Sequence, residues 1–167
     1  AKDAGRNNYV FYTRKMSEYF SERLMLENEL RQAVANDALT LAYQPQVAID
    51  SGRITGFEVL ARWHHEERGW ITPAEFIPIA EETGLILQIG EWILRQACIQ
   101  LKQWQDQFLP ELKMAVNLSS HQVHQKGLVD RVISVIKETG IPVHTLELEL
   151  TESSLMENVE STITTLS

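Results

Sequence analysis

From Leu39 onward the sequence alternates strand-like and helix-like segments with short connections, and this alternation constrains the fold more than any other feature. Strand, helix, strand, helix in that order indicates a parallel sheet with helices packed on it. The first two strands depart from that order. Leu39–Ile49 and Ile54–Trp63 are separated only by the turn Asp50-Ser51-Gly52-Arg53, so they should form an antiparallel hairpin. Pro45 inside the first strand removes a ladder donor, which places that strand at an edge or at a bend.

After the hairpin, Thr72-Pro73-Ala74-Glu75 has the cap residue, the proline and the early acid of a helix start, and Gly84 ends that helix. Residues 86–107 read as a longer amphipathic helix with Ile89, Trp92, Ile93, Ala97, Leu101 and Trp104 on one side. A strand over Lys113–Ser119, a helix over 127–139 closed by Gly140 and Pro142, and a strand over Thr145–Thr151 follow. A last helical stretch runs to the end of the chain. Upstream, Tyr9-Val10-Phe11-Tyr12 suits a short strand. From Met16 to Asn36 the apolar residues recur at mostly three- and four-residue spacing, which predicts a linker helix whose apolar stripe could pair with a second copy. A (β/α)8 barrel needs about 250 residues. Four strands of such a barrel can be counted after residue 38, so the expectation is the first part of one.

Charge narrows the choice of ligand. Acids outnumber bases 23 to 15, a net charge of −8, which argues against a protein that coats duplex DNA by neutralising phosphates. A small phosphorylated ligand stays compatible, because one or two placed cations or a metal suffice. Cys98 is the single cysteine, so an internal disulfide framework is impossible; it reads as a small buried core residue in a reducing compartment. No stretch approaches the roughly 18 apolar residues of a membrane span, and no signal peptide opens the sequence. A cytoplasmic location is expected, with a membrane anchor upstream in a longer parent protein still compatible.

Three polar residues interrupt strands that are otherwise apolar: Glu58, Asn117 and Glu149. Buried carboxylates need a partner or a cation, and this oxygen-only set suits Mg2+ or Mn2+ and suits Zn2+ poorly. The alternative is a solvated strand face, and Leu146-Glu147-Leu148-Glu149-Leu150 alternates as that alternative requires. In a closed barrel the same alternation points acids into the mouth. Arg62 lies four residues after Glu58 on the same strand face. It could clamp a phosphate diester, or pair internally with Glu58. His64-His65-Glu66-Glu67 reads as a solvated loop in preference to a metal cluster, and Trp63, Trp70, Trp92 and Trp104 read as packing residues.

These residues carry a resemblance. Glu58-Val59-Leu60-Ala61-Arg62-Trp63 resembles the signature of the EAL family, with valine for the family's alanine. Tyr43-Gln44-Pro45 before it agrees, as do Pro73, Phe76-Ile77-Pro78 and Ala80-Glu81-Glu82-Thr83-Gly84 after it. Val116-Asn117-Leu118-Ser119 and Glu149-Leu150-Thr151-Glu152-Ser153 follow in the family's order. The resemblance implies an α/β fold, a modified TIM (β/α)8 barrel with an antiparallel first strand, here partial and preceded by the linker helix. It implies hydrolysis of cyclic di-GMP to linear pGpG with Mg2+ or Mn2+ and an activated water. By similarity, Glu58, Asn117 and Glu149 would be metal ligands, Glu58 also catalytic. Gln44 and Arg62 would contact the dinucleotide, and Leu60 would line its guanine pocket. Glu152 matches a catalytically important glutamate that steadies a loop near the metal and affects dimerisation.

Ala1-Lys2-Asp3-Ala4-Gly5-Arg6-Asn7 with Tyr9-Val10-Phe11 is similar to the end of a GGDEF diguanylate cyclase domain. The implied organisation is a GGDEF-like tail over residues 1–14, a helical linker over 15–37 and the first half of an EAL domain over 38–167. The family's paired aspartates, lysine and later glutamates would lie beyond Ser167, so the chain alone is expected to be inactive. A homodimer is expected from the resemblance. Two other functions stay open: an EAL-like sensor that binds cyclic di-GMP without cutting it, and a purely structural or dimerising domain.

Overall fold

The computed structural model describes residues 14–36 and 38–150. Its elements run α1 (Arg14–Ala35), β1 (Leu39–Val47), β2 (Ile54–His65), β3 (Gly69–Ile71), α2 (Pro73–Thr83), α3 (Leu85–Gln107), β4 (Lys113–Leu118), α4 (Ser120–Val123), α5 (Leu128–Thr139) and β5 (Leu146–Leu150). The expected strand at 9–12, the GGDEF-like tail, Glu152 and the final helical stretch lie outside the described residues.

The hairpin forms as read. β1 and β2 pair antiparallel, with Gln44 opposite Glu58 and Ala42 opposite Leu60. Among the described residues β1 pairs only with β2, so Pro45 sits on an edge strand there, where its missing donor does not interrupt a second ladder. β2 then pairs parallel with β4, and β4 parallel with β5, in the order β1-β2-β4-β5. This is a partial barrel-type sheet whose first strand runs against the others. β3 is an addition to the sequence reading. It folds back on the end of β2 through Trp63 opposite Ile71 and His64 opposite Trp70.

The sheet has two unlike faces. Val59, Met114 and Val116 point to the helical side, where Leu94, Ala97, Cys98 and Leu101 of α3 and Val135 of α5 cover them. Burial there pushes the Cys98 thiol up to about 11, as suits an inert core residue. A second cluster joins Trp63 of β2 to Phe76 and Ile79 of α2 and Ile86 and Ile89 of α3. Trp63 meets Phe76 edge-on at 6.0 Å between ring centroids.

The helix starts follow their caps. Thr72 donates to Glu75 through both its backbone N–H, at 3.0 Å, and its hydroxyl, at 2.8 Å. These bonds hold the Glu75 carboxyl below the usual carboxylate range. Gly84 adopts φ 74°, a left-handed turn that ends α2 and begins α3 in one residue.

Helix α1 is packed onto the sheet. Leu30 and Ala33 of α1 are buried in the same cluster as Trp63 and Phe76, with Leu26 and Val34 packed against it. Arg23 pairs with Glu82 of α2 at 2.5 Å, and Glu29 lies 3.5 Å from His65 and 3.4 Å from Arg68. Phe20, Leu24 and Met25 remain exposed. Among the described residues no helix is long and apolar enough to cross a membrane.

Because Leu30 is fully buried, Leu30→Ala should lower unfolding stability by about 2–5 kcal/mol in urea titrations. A change under about 0.5 kcal/mol, the size expected of an ordinary surface substitution, would show that α1 is not part of the cooperative unit.

Candidate functional site

The site is built by register. Glu58 stands opposite Ala115 in the β2–β4 ladder, and Asn117 stands opposite Glu149 in the β4–β5 ladder. Side chains alternate along a strand, so Asn117 shares the face of Ala115, and therefore of Glu58. Gln44, directly opposite Glu58 on β1, is on that face as well. Gln44, Glu58, Leu60, Arg62, Asn117, Glu147 and Glu149 thus occupy the side away from the helices.

Contacts follow the register. Asn117 donates from Nδ2 to Glu58 Oε1 at 2.8 Å, although the two lie 59 residues apart. The bond uses the amide nitrogen, which leaves the Asn117 oxygen available. Glu149 is half-buried, and its carboxyl lies above the usual range, first through desolvation and then through the charges of Glu58 and Glu147. Glu147 itself is held by Lys113 at 2.6 Å, on the amino-terminal side of the cluster.

The set Glu58, Asn117 and Glu149 can offer oxygen atoms only, and its carboxylates repel one another in the absence of a cation. Both features fit a hard divalent ion, which would relieve that repulsion. Among the described residues no three His, Cys, Asp or Glu side chains converge. The third oxygen of this group comes from an amide.

Several sequence expectations change in detail. Asn117 is exposed and Glu58 and Glu149 are half-buried, so none is enclosed in an apolar core. Arg62 shares the face of Glu58, but its Nη1 donates to the Ala61 carbonyl at 2.9 Å, not to Glu58; the internal ion pair is not formed. His64 and His65 belong to β2 instead of a loop. His65 Nδ1 accepts from the Glu67 and Arg68 backbone N–H groups and so closes the β2–β3 turn. Trp63 is core, Trp92 and Trp104 are partly buried, and Trp70 is 64% exposed beside His64, contrary to a packing role.

Next to the polar cluster lies a cavity of about 250 Å3, lined by Leu60, Pro73, Ile77, Glu81, Asn117 and Gln122 among others. Its mostly apolar wall with a few polar groups suits a planar, partly polar ligand. The sequence reading did not single out Glu81 or Gln122 as site residues. For Gln122 a signal existed: Ser119-x-x-Gln122 is a capping box.

The fold and cluster define a barrel-type α/β domain with an oxygen-donor group near the carboxyl ends of β4 and β5, joined there by Glu58 of β2; such domains place their chemistry at the carboxyl ends of their strands. The chain belongs to the EAL domain family, whose profile matches residues 27–167. It is 43% identical over 163 residues to the bifunctional diguanylate cyclase/cyclic di-GMP phosphodiesterase MucR of Pseudomonas aeruginosa, covering 98% of this chain and 24% of that protein. It is 38% identical over 163 residues to the cyclic di-GMP phosphodiesterase NbdA of the same organism, covering 98% and 21%. The chain therefore spans about a quarter or less of these curated relatives. Among solved structures, the P. aeruginosa MucR phosphodiesterase in complex with c-di-GMP matches with a TM-score of 0.81 at 42% identity, over 85% of this chain and 57% of that one. The EAL enzyme Bd1971 with cAMP and cyclic di-GMP bound matches with a TM-score of 0.83 at 29% identity, over 89% and 41%.

The raised carboxyl of Glu149 gives a pH test. A raised native pKa means that ionisation costs folded-state stability, beginning above the ordinary Glu value of about 4.3 and complete above the native value. Glu149→Gln should therefore raise the melting temperature at pH 7 in the absence of divalent ions, and the gain should vanish below about pH 4. A gain that persists unchanged in acid would show that the carboxylate charges are not its source.

Proposed function

We propose that this chain forms the first half of a cyclic di-GMP phosphodiesterase domain and supplies part of its metal site and most of one base pocket. The observation that carries the reading is the convergence of Glu58, Asn117 and Glu149 on one sheet face through the paired registers of β2, β4 and β5. The names and bound ligands of the relatives at 38–43% identity support the same substrate.

In this reading Glu58, Asn117 and Glu149 hold Mg2+ or Mn2+. When bound, such an ion supplies Lewis-acid polarisation of the phosphodiester and activation of water. The chain's own residues bind and orient. Leu60 and the apolar wall of the adjoining cavity take a guanine base and keep water from that end of the ligand. Gln44, exposed opposite Glu58, contacts the sugar–phosphate ring. Arg62 releases the Ala61 carbonyl and turns toward a phosphate oxygen, where its charge opposes the negative charge developing during hydrolysis. The product is linear pGpG. The role given to Glu152 by resemblance belongs to the same proposal; the residue lies outside the described residues.

The remainder of the barrel and of its catalytic groups is assigned to sequence beyond this chain, so the chain alone should not turn over substrate. The GGDEF-like reading of the first residues and the linker reading of α1 belong to the same proposal. A homodimer is part of it too, with the exposed Leu24 and Met25 of α1 as one surface for it.

The test uses the protein carried through the complete EAL domain, incubated with cyclic di-GMP and Mg2+ and followed by chromatography. Wild type should yield pGpG, and Glu58→Gln should lower kcat/KM at least a thousandfold while the fold is kept. Binding of cyclic di-GMP by wild type without any cleavage would replace the enzyme with a sensor.

A further inference from the structure

Three polar residues are buried among the described residues: Gln105, Gln122 and Thr145. Two of them tie a loop to the start of a strand. Gln105 donates to the Leu112 carbonyl at 2.9 Å, just before β4, and Thr145 donates to the Pro142 carbonyl at 2.7 Å, just before β5. Gln122 sits at the other end of β4, where the chain leaves the strand two residues after Asn117.

Its side-chain bonds converge on Ser119. Gln122 Oε1 accepts from the Ser119 backbone N–H at 3.0 Å and from the Ser119 hydroxyl at 3.1 Å, and the Gln122 N–H donates to Ser119 Oγ at 3.3 Å. Between Asn117 and Ser119, Leu118 is buried. The exit from β4 is thus fixed on both sides of one residue. A capping box ordinarily serves only its own helix, yet α4 is a single turn, too short to be an end in itself.

The Gln122 side chain also has a prepared seat in α3. A Cβ on Gly90 would lie 2.0 Å from Gln122 Nε2 and 2.6 Å from its amide carbon. Glycine inside a helix is less favourable than alanine, and here the notch it leaves is filled by the Gln122 amide. Gly90, Gln122, Ser119, Asn117 and Leu60 line the same cavity.

We propose that Gln122 is a positioning residue for the metal site: seated in the Gly90 notch, it pins Ser119 and thereby sets the direction in which Asn117 presents its oxygen beside Glu58. Gly90 is the other half of this device. The inference rests on the reading of Glu58, Asn117 and Glu149 as metal ligands.

The test measures Mn2+ binding by electron paramagnetic resonance and calorimetry, without substrate, in the protein carried through the complete EAL domain. Gln122→Met keeps the length and apolar bulk of the side chain but removes its hydrogen bonds. Gly90→Ala should favour helix formation in α3 and yet expel the intact Gln122 amide. Gln122→Glu restores an acceptor for Ser119. With folding checked by circular dichroism, Gln122→Met and Gly90→Ala should weaken Mn2+ binding at least tenfold, and Gln122→Glu should stay within threefold of wild type. The inference is overturned if Gln122→Met and Gly90→Ala bind within threefold of wild type, or if Gln122→Glu is as weak as Gln122→Met. If wild type itself binds no Mn2+, the metal reading fails and the positioning role falls with it, a result distinct from equal binding by all variants.

Discussion

The register of β2, β4 and β5 is the constraint on which the rest depends. Pairing Val59 with Val116 and Asn117 with Glu149 sends Met114 and Val116 to the helices and Glu58, Asn117 and Glu149 to the opposite face. A slip of one residue would reverse both assignments, burying carboxylates under α3 and exposing the valines. The apolar side is what forbids the slip, since Ala97, Cys98 and Leu101 leave no room for unpaired charge. The site is positioned by the core on the other side of the same strands.

That arrangement explains why the polar face tolerates mutual repulsion. Asn117 bonds Glu58 across two strands, and Lys113 neutralises Glu147 at the far end of the face. Glu149 receives no such partner among the described residues, and its carboxyl is pushed up by burial and by its neighbours. A protein selected for stability alone would separate these groups. Their closeness on one sheet face is an electrostatic strain that a bound cation would release.

Much of this was legible in the residues themselves. The hairpin, the edge position of the Pro45 strand, the capped start of α2, its stop at Gly84 and the strands bearing Glu58, Asn117 and Glu149 all follow from period, turn chemistry and caps. What escaped was short or depended on distant contacts. β3 has only three residues and exists because the end of β2 continues past its expected limit through His64 and His65. Trp70 looked like packing material because its type is apolar, but its position opposite His64 at a hairpin end leaves it in solvent. The choice between an Arg62–Glu58 pair and a free clamp could not be made from a four-residue spacing. The role of Gln122 required knowing that Gly90, 32 residues earlier, would lie against it.

The reading of the polar face as a cation site for a cyclic dinucleotide is tested most directly by anomalous diffraction. Crystals of the complete EAL domain grown with Mn2+ and cyclic di-GMP would be measured at the manganese edge. The expected result is a peak about 2.0–2.4 Å from oxygens of Glu58, Asn117 and Glu149, with a phosphate of the dinucleotide against the same ion. A manganese peak that avoids these three side chains, or a dinucleotide bound with no ion between it and Glu58, would contradict it.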